Sequence, residues 1–306
     1  MYKAFFGLRE NPFNVNPDPR YLFRTREVDE ALACLAYGIQ KRRGFVLVTG
    51  EVGTGKTILL NKLLNWLRRG GISTAFIFNP RLNADQFLDF MLTDFGIQCG
   101  SCSKSQVLVH LNHWLLERYK KGKNTVMIVD EAQNLAVEVL EEIRLLTNLE
   151  TSTEKLLQIV LSGQPELEET LRRPQLRQLL QRITLRCRML PLTREETRGY
   201  ILERLRIAGA PTEPIFAPEA MEAVHQFSDG IPRVINLLCE HALIGAFVEG
   251  QRPVLATTVE QVAREYDLLP NQPGPTDARG LGKDGSHLRE SVHSLGVMTD
   301  RLRRAQ

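Results

Sequence analysis

Four side chains in this sequence have the type and spacing to handle phosphate: Lys56, Thr57, Asp130 and Glu131. The first two close the run Gly50-Glu51-Val52-Gly53-Thr54-Gly55-Lys56-Thr57, which Ile58 follows directly. Glycines in such a run let backbone N–H groups turn toward anionic oxygens with no Cβ in the way. A helix starting immediately after them adds its positive dipole end to the same point. Lys56 supplies a point charge for the β- and γ-phosphates, and the Thr57 hydroxyl is placed to reach Mg2+. Asp130 can hold the Mg2+ shell opposite Thr57, and Glu131 can act as general base or orienter for an attacking water. Together the two motifs point to hydrolysis of a nucleoside triphosphate rather than passive nucleotide binding.

These groups work only if strands and helices present them together. The apolar run Phe45-Val46-Leu47-Val48 before the loop reads as a buried strand, and residues 58–64 read as the helix after it. Val126, Met127, Ile128 and Val129 close on the two acids, the pattern of a central parallel strand whose carboxyl end meets a ligand. Further strands are expected over 73–80, 156–162 and 183–187. A polar side chain at the tip of the fourth strand would lie between the acids and the γ-phosphate, and Ser162 and Gln164 are both candidates. Helical spacing runs over 27–40, 84–95, 105–120 and 135–149.

From Leu192 the character changes. Thr193 and Glu196 have capping-box spacing, and helical patterns follow over 197–208, 218–227, 232–247 and 258–266 with no strand among them. That is a small all-helical domain. Arg233 falls in the first turn of one of these helices, where the dipole disfavours a cation, which suggests an anionic partner. At the other end of the chain Pro12, Pro17 and Pro19 impose an extended entry. Phe13 and Tyr21 there either cover an adenine ring or anchor the arm to the core, and the anchor reading is preferred. Beyond residue 269, prolines and glycines mark a linker, and residues 287–306 have the pattern of a basic amphipathic tail.

Composition excludes little. There are 39 Lys and Arg against 36 Asp and Glu, and a net charge of +3 is too small to argue nucleic-acid binding from the total. Between Glu169 and Glu195 there is no acid, yet Arg172, Arg173, Arg177, Arg182, Arg186, Arg188 and Arg194 occur. That stretch suits a solvated face, or a surface facing an anion or another subunit. No apolar run approaches the roughly 20 residues that span a bilayer, and the N-terminus has no signal-peptide pattern. A cytoplasmic location is expected, with any membrane role at the inner face through a partner. Five cysteines suggest reduced thiols. Cys99 and Cys102, followed by His110 and His113, fit no common zinc-finger spacing and lack a second CxxC, so no metal site is expected there.

The loop, the 126–131 segment with Ala132 and Gln133, and residues 163–167 resemble those of the ExeA/GspA-type secretion ATPases within the AAA+ superfamily. Phe5-Phe6-Gly7-Leu8, Asn11-Pro12-Phe13 and Pro17-Asp18-Pro19-Arg20 resemble the opening of the same proteins, and the likeness extends over residues 1–268. It implies an α/β P-loop NTPase (AAA+) fold, with a five-stranded parallel sheet in order 5-1-4-3-2 and a C-terminal all-helical lid. The implied division is an ATPase core with its N-terminal arm over 1–190, a lid over 191–268, and a linker and tail over 269–306.

The resemblance also implies roles. Lys56 and Thr57 match Walker A, and Asp130 and Glu131 match Walker B. Ser162 or Gln164 falls at sensor 1, and Arg233 matches the sensor-2 arginine. Arg182, with Arg177 as fallback, sits where an arginine finger reaches a neighbouring subunit's nucleotide. Asn79 sits where a residue restrains the catalytic glutamate. ATP and Mg2+ are the implied cofactors, and a homo-oligomer with intersubunit sites the implied assembly. Ile58 stands where many relatives have a second threonine, which leaves the metal ligand unaffected. The transmembrane segment and peptidoglycan-binding module associated with such proteins have no counterpart in these 306 residues, so direct cell-wall remodelling is not expected. The implied role is to assemble or power a secretion, pilus or polysaccharide-export machine, through an envelope or secretion-system protein. The alternatives are a DNA-associated regulator similar to TniB-type transposition ATPases, and a slow nucleotide-gated switch.

Overall fold

A computed structural model describes residues 1–78, 81–100 and 102–268. Asn79 and the tail from residue 269 onward lie outside the described residues. The chain runs α1 (Tyr2–Phe6), α2 (Arg26–Gln40), β1 (Phe45–Gly50), α3 (Lys56–Arg69), β2 (Ser73–Ile77), α4 (Ala84–Phe95) and α5 (Lys104–Lys120). It continues through β3 (Thr125–Val129), α6 (Val137–Leu146), β4 (Gln158–Gly163), α7 (Pro165–Leu171), α8 (Arg177–Arg182) and β5 (Ile183–Met189). Four helices follow: α9 (Arg194–Ile207), α10 (Pro218–Ser228), α11 (Pro232–Val248) and α12 (Ala256–Glu265).

The strands form one parallel sheet in the order β2-β3-β4-β1-β5, the expected order read from its other edge. Helices cover both faces, so strand residues are buried alternately to each side. Phe45 and Leu47 of β1, Met127 and Val129 of β3, and Ile159 and Leu161 of β4 pack with α4 to α8. Val46, Val48, Val126, Ile128 and Val160 face the other way, onto Leu35 and Ile39 of α2 and Leu59, Leu60 and Leu63 of α3. This two-sided burial matches the apolar runs of β1, β3 and β4, which are buried along their whole length, whereas the edge strands β2 and β5 are not. It also leaves only the carboxyl ends of those three strands for polar chemistry.

The helices after β5 bury a separate apolar cluster, with Ile201, Leu205, Val224, Ile235, Leu238 and Leu243 within it. Thr193 caps α9 and exchanges bonds with Glu196 as its spacing suggests. The grouping of residues 1–190 placed the N-terminal arm with the sheet, but Phe6, Leu8 and Phe13 bury in the helical cluster instead. Phe13 meets Phe216 edge-on, and Tyr2 and Asn11 both donate to the Glu240 carboxylate of α11. The prolines make the arm extended enough to reach α11 and then return. Asn61 of α3 donates to the carbonyl of Pro17, and Tyr21 is buried beneath the Arg204 guanidinium.

The thiol expectation also needs correction. Cys99 and Cys102 form a disulfide, because the turn after α4 brings their Cα atoms to 5.8 Å. Cys34, Cys187 and Cys239 are free.

Candidate functional site

The carboxyl ends of β1, β3 and β4 meet where α3 begins, at the edge where ligands bind in open α/β sheets. Residues 51–55 bridge β1 to α3 with Gly53 and Gly55 at positive φ, 84° and 96°, which L side chains rarely adopt. A Cβ on Gly53 would lie 2.7 Å from Cβ of Arg233 and 3.0 Å from a methyl of Ile231. That close approach puts the start of α11 directly over the loop, where the Arg233 N–H donates to the Gly53 carbonyl at 3.2 Å. Arg233 itself is exposed.

Lys56 is buried and donates to the carbonyls of Gly50 (2.8 Å) and Glu51 (2.9 Å). Desolvation pushes its pKa below the ordinary lysine value, and the negative charges of Glu131, Asp130, Glu51 and Glu166 oppose that shift. An ammonium held this way is only partly compensated. It is a ready partner for an added anion.

Asp130, just past β3, is buried and fully engaged. One carboxylate oxygen accepts from the Thr57 hydroxyl at 2.9 Å. The other accepts from the Ser162 hydroxyl at 2.8 Å and from the Glu131 N–H at 3.0 Å. The Thr57 and Asp130 oxygens are hard donors, within one hydrogen bond of each other and beside the loop. That donor chemistry fits Mg2+.

Glu131 adopts a left-handed backbone, φ 53°, unusual for a residue with a side chain. Its carboxylate accepts from Gln133 Nε2 at 2.6 Å and, at the outer limit, from Gln164 Nε2 at 3.5 Å. Gln133 in turn accepts from the Gln164 N–H at 3.1 Å. Gly163 makes this possible, since a Cβ there would sit 2.9 Å from the Gln133 amide oxygen. The sequence marks Gln133 only as part of a motif. Its role as a clamp on Glu131 was not foreseen, because reach between side chains two residues apart depends on the turn that follows β3.

The structure also distinguishes between the two polar tips of β4. Ser162 is fully buried and spent on Asp130, whereas Gln164 is half-exposed beside Glu131. Arg182 is not brought to the site. Its guanidinium donates to the Arg144 carbonyl (3.1 Å), to Asn148 Oδ1 (2.8 Å) and to the Thr147 hydroxyl, closing the C-terminus of α6. Arg177 is exposed. Beside Thr54, Gly55 and Ile58 lies a small apolar pocket walled by Tyr21, Val28, Met189, Leu192 and Pro232. Its wall comes from five separate segments, so apart from Tyr21 and Ile58 no local pattern marked it.

Residues 39–171 match the model of an AAA domain family. Over 266 residues the chain is 46% identical to General secretion pathway protein A of Aeromonas hydrophila, a match covering 87% of this chain and 48% of that protein. The chain thus spans about half the length of the curated relative it matches. Among solved structures, the Aeropyrum pernix ORC2 protein is similar, with a TM-score of 0.63 at 18% identity, covering 84% of this chain and 71% of that one. Cdc6p of Pyrobaculum aerophilum gives a TM-score of 0.64 at 16% identity, covering 83% and 70% respectively. Those two likenesses concern the fold alone. With sheet order, loop and sequence likeness in agreement, the chain belongs to the AAA+ family of P-loop proteins, in the branch of General secretion pathway protein A.

Proposed function

We propose that this chain binds ATP with Mg2+ on the 50–57 loop and hydrolyses it, as a nucleotide-driven component of a secretion, pilus or polysaccharide-export machine. The observation carrying this reading is the convergence of Lys56, the Thr57–Asp130 pair and the clamped Glu131 at one edge of the sheet. In this reading Lys56 binds the β- and γ-phosphate oxygens, and the loop N–H groups receive the remaining negative charge. The apolar pocket beside Tyr21 and Ile58 takes the base. Thr57 and Asp130 would hold Mg2+, whose chemistry when bound is to neutralise charge on the transferring phosphoryl group. Glu131 accepts the proton of the attacking water, while Gln164 is the strand-tip group facing the γ-phosphate. Ser162 keeps the Asp130 carboxylate oriented. Arg233 reaches the nucleotide from above the loop.

The assembly remains part of the proposal: a homo-oligomer whose sites lie between subunits. Because Arg182 is tied within its own chain, the exposed Arg177 becomes the better arginine for a neighbour's nucleotide.

Two variants test the chemistry. Glu131→Gln should bind ATP with affinity close to wild type and lose at least about 100-fold in turnover, the usual worth of a positioned general base. Turnover at the wild-type rate would remove Glu131 from the mechanism. Gln133→Leu keeps bulk but deletes both bonds of the clamp. It should lower kcat about tenfold while the KM for ATP stays within a factor of about two, since the clamp orients Glu131 and does not touch phosphate. An equal rise in KM would assign Gln133 to binding instead.

A further inference from the structure

Outside the phosphate-loop site, the turn between α4 and α5 and the second turn of α5 gather Cys99, Cys102 and His110. Their ligating atoms all lie within 4.8 Å of one another. His110 Nδ1 is 3.0 Å from Cys99 Sγ and 4.0 Å from Cys102 Sγ. The sequence spacing argues against metal because it matches no common finger pattern and lacks a second CxxC. In the folded chain the third donor comes from the second turn of α5, eight residues beyond Cys102.

The disulfide alone does not account for this arrangement. A bridge between residues three apart closes so short a loop that it removes little unfolded-chain entropy. A disulfide sulfur is also a poor hydrogen-bond acceptor and has no need of an imidazole. A pair of thiolates does need one, either as a cation or as a fellow ligand. The donor set is two sulfurs and one ring nitrogen, which suits a borderline-soft divalent ion of the zinc class. With Zn–S near 2.3 Å and Zn–N near 2.0–2.1 Å, tetrahedral ligands put N and S about 3.6 Å apart, between the two distances observed. The two sulfurs must separate to about 3.8 Å, which their Cα spacing of 5.8 Å permits, and the two N–S distances must each shift by roughly 0.5 Å.

We infer that Cys99, Cys102 and His110 form a zinc-class metal site in the reduced protein, with the disulfide as its metal-free oxidised form. A phosphine delivers two electrons and becomes the phosphine oxide, with one water supplying its oxygen and the two protons, so the S–S bond breaks to give two thiols; a dithiol supplies both electrons and protons and leaves as its own disulfide. Metal binding then releases those two protons and leaves two thiolates on the ion. The neutral imidazole donates the Nδ1 lone pair and keeps its proton on Nε2. The fourth position falls to water, since among the described residues no other His, Cys, Asp or Glu joins the cluster. The filled site ties the loop after α4 to α5. That contact uses neither Lys56 nor the acids, so it does not depend on the nucleotide reading.

The test is Co2+ titration of the full chain, reduced with a phosphine and handled anaerobically. The reduced protein should take up one equivalent and develop a sulfur-to-Co(II) charge-transfer band, and the oxidised protein should do neither. His110→Ala, a change at an exposed side chain, should weaken binding at least tenfold, and Cys99→Ser/Cys102→Ser should abolish the band. Bound Zn2+ should protect Cys99 and Cys102 from alkylation, while Cys34 alkylates at an unchanged rate. No uptake by the reduced chain would overturn the inference. So would uptake that survives the double substitution, which would assign the metal to other groups.

Discussion

Lys56→Met is expected to weaken ATP binding on the order of 100-fold or more while leaving the nucleotide-free fold at least as stable as the wild type. The first half follows from the charge-assisted contacts that a phosphate would lose, worth up to about 3 kcal/mol. The second follows from burial. The Lys56 ammonium lies in the interior with two carbonyls as its hydrogen-bond partners, and its folded-state pKa is lowered from 10.5. The folded chain therefore holds this proton less tightly than the unfolded chain. The cost is fully present below the lowered folded-state value and is relieved as pH rises from there through 10.5. Methionine keeps a similar volume and removes the charge. Calorimetric titration with an ATP analogue and thermal unfolding in nucleotide-free buffer check the two halves separately. Tight binding by the variant would refute the loop assignment. A marked loss of melting temperature would mean that Lys56 supports the fold through its carbonyl bonds.

Gly230→Ala should be the most disruptive single-methyl change outside the loop. Gly230 has φ 70°, and a Cβ there would sit 1.9 Å from the carbonyl oxygen of Leu192. The same two residues share a backbone bond, Leu192 N–H to the Gly230 carbonyl at 2.8 Å. A left-handed residue with a side chain costs about 1–2 kcal/mol by itself. The clash is with backbone, so no rotamer change relieves it, and a total above about 3 kcal/mol is expected. Because Gly230 leads into Ile231, Pro232 and Arg233 over the loop, nucleotide affinity should fall with stability. Denaturant unfolding within about 0.5 kcal/mol of the wild type would show that this junction yields freely.

The sheet was legible because a parallel sheet covered on both faces leaves a plain mark: Val126 to Val129 and Ile159 to Leu161 are apolar whichever way they point. The loop and the two acids were legible because their chemistry needs neighbours in sequence. What stayed hidden depends on distance in space. Only the fold shows that Ser162 is consumed by Asp130, that Gln133 reaches back to Glu131, and that Arg182 closes α6. The same holds for His110. Its place on an amphipathic helix was clear, but the turn that carries Cys99 and Cys102 back beneath it was not.

The N-terminal arm has a kinematic consequence. The helical cluster joins the sheet once through residues 190–193, directly after β5. It joins a second time through residues 14–17, between Phe13 in that cluster and Pro17 on α3. Between these two links the chain crosses back, with Tyr21 beneath Arg204 and Phe23 edge-on to Tyr200, and the Arg233 N–H holds the Gly53 carbonyl. Any swing of α11 over the loop must therefore carry the arm with it or break these contacts. Cutting the chain between Phe13 and Pro17 would remove one of the tethers that tie the two motions together.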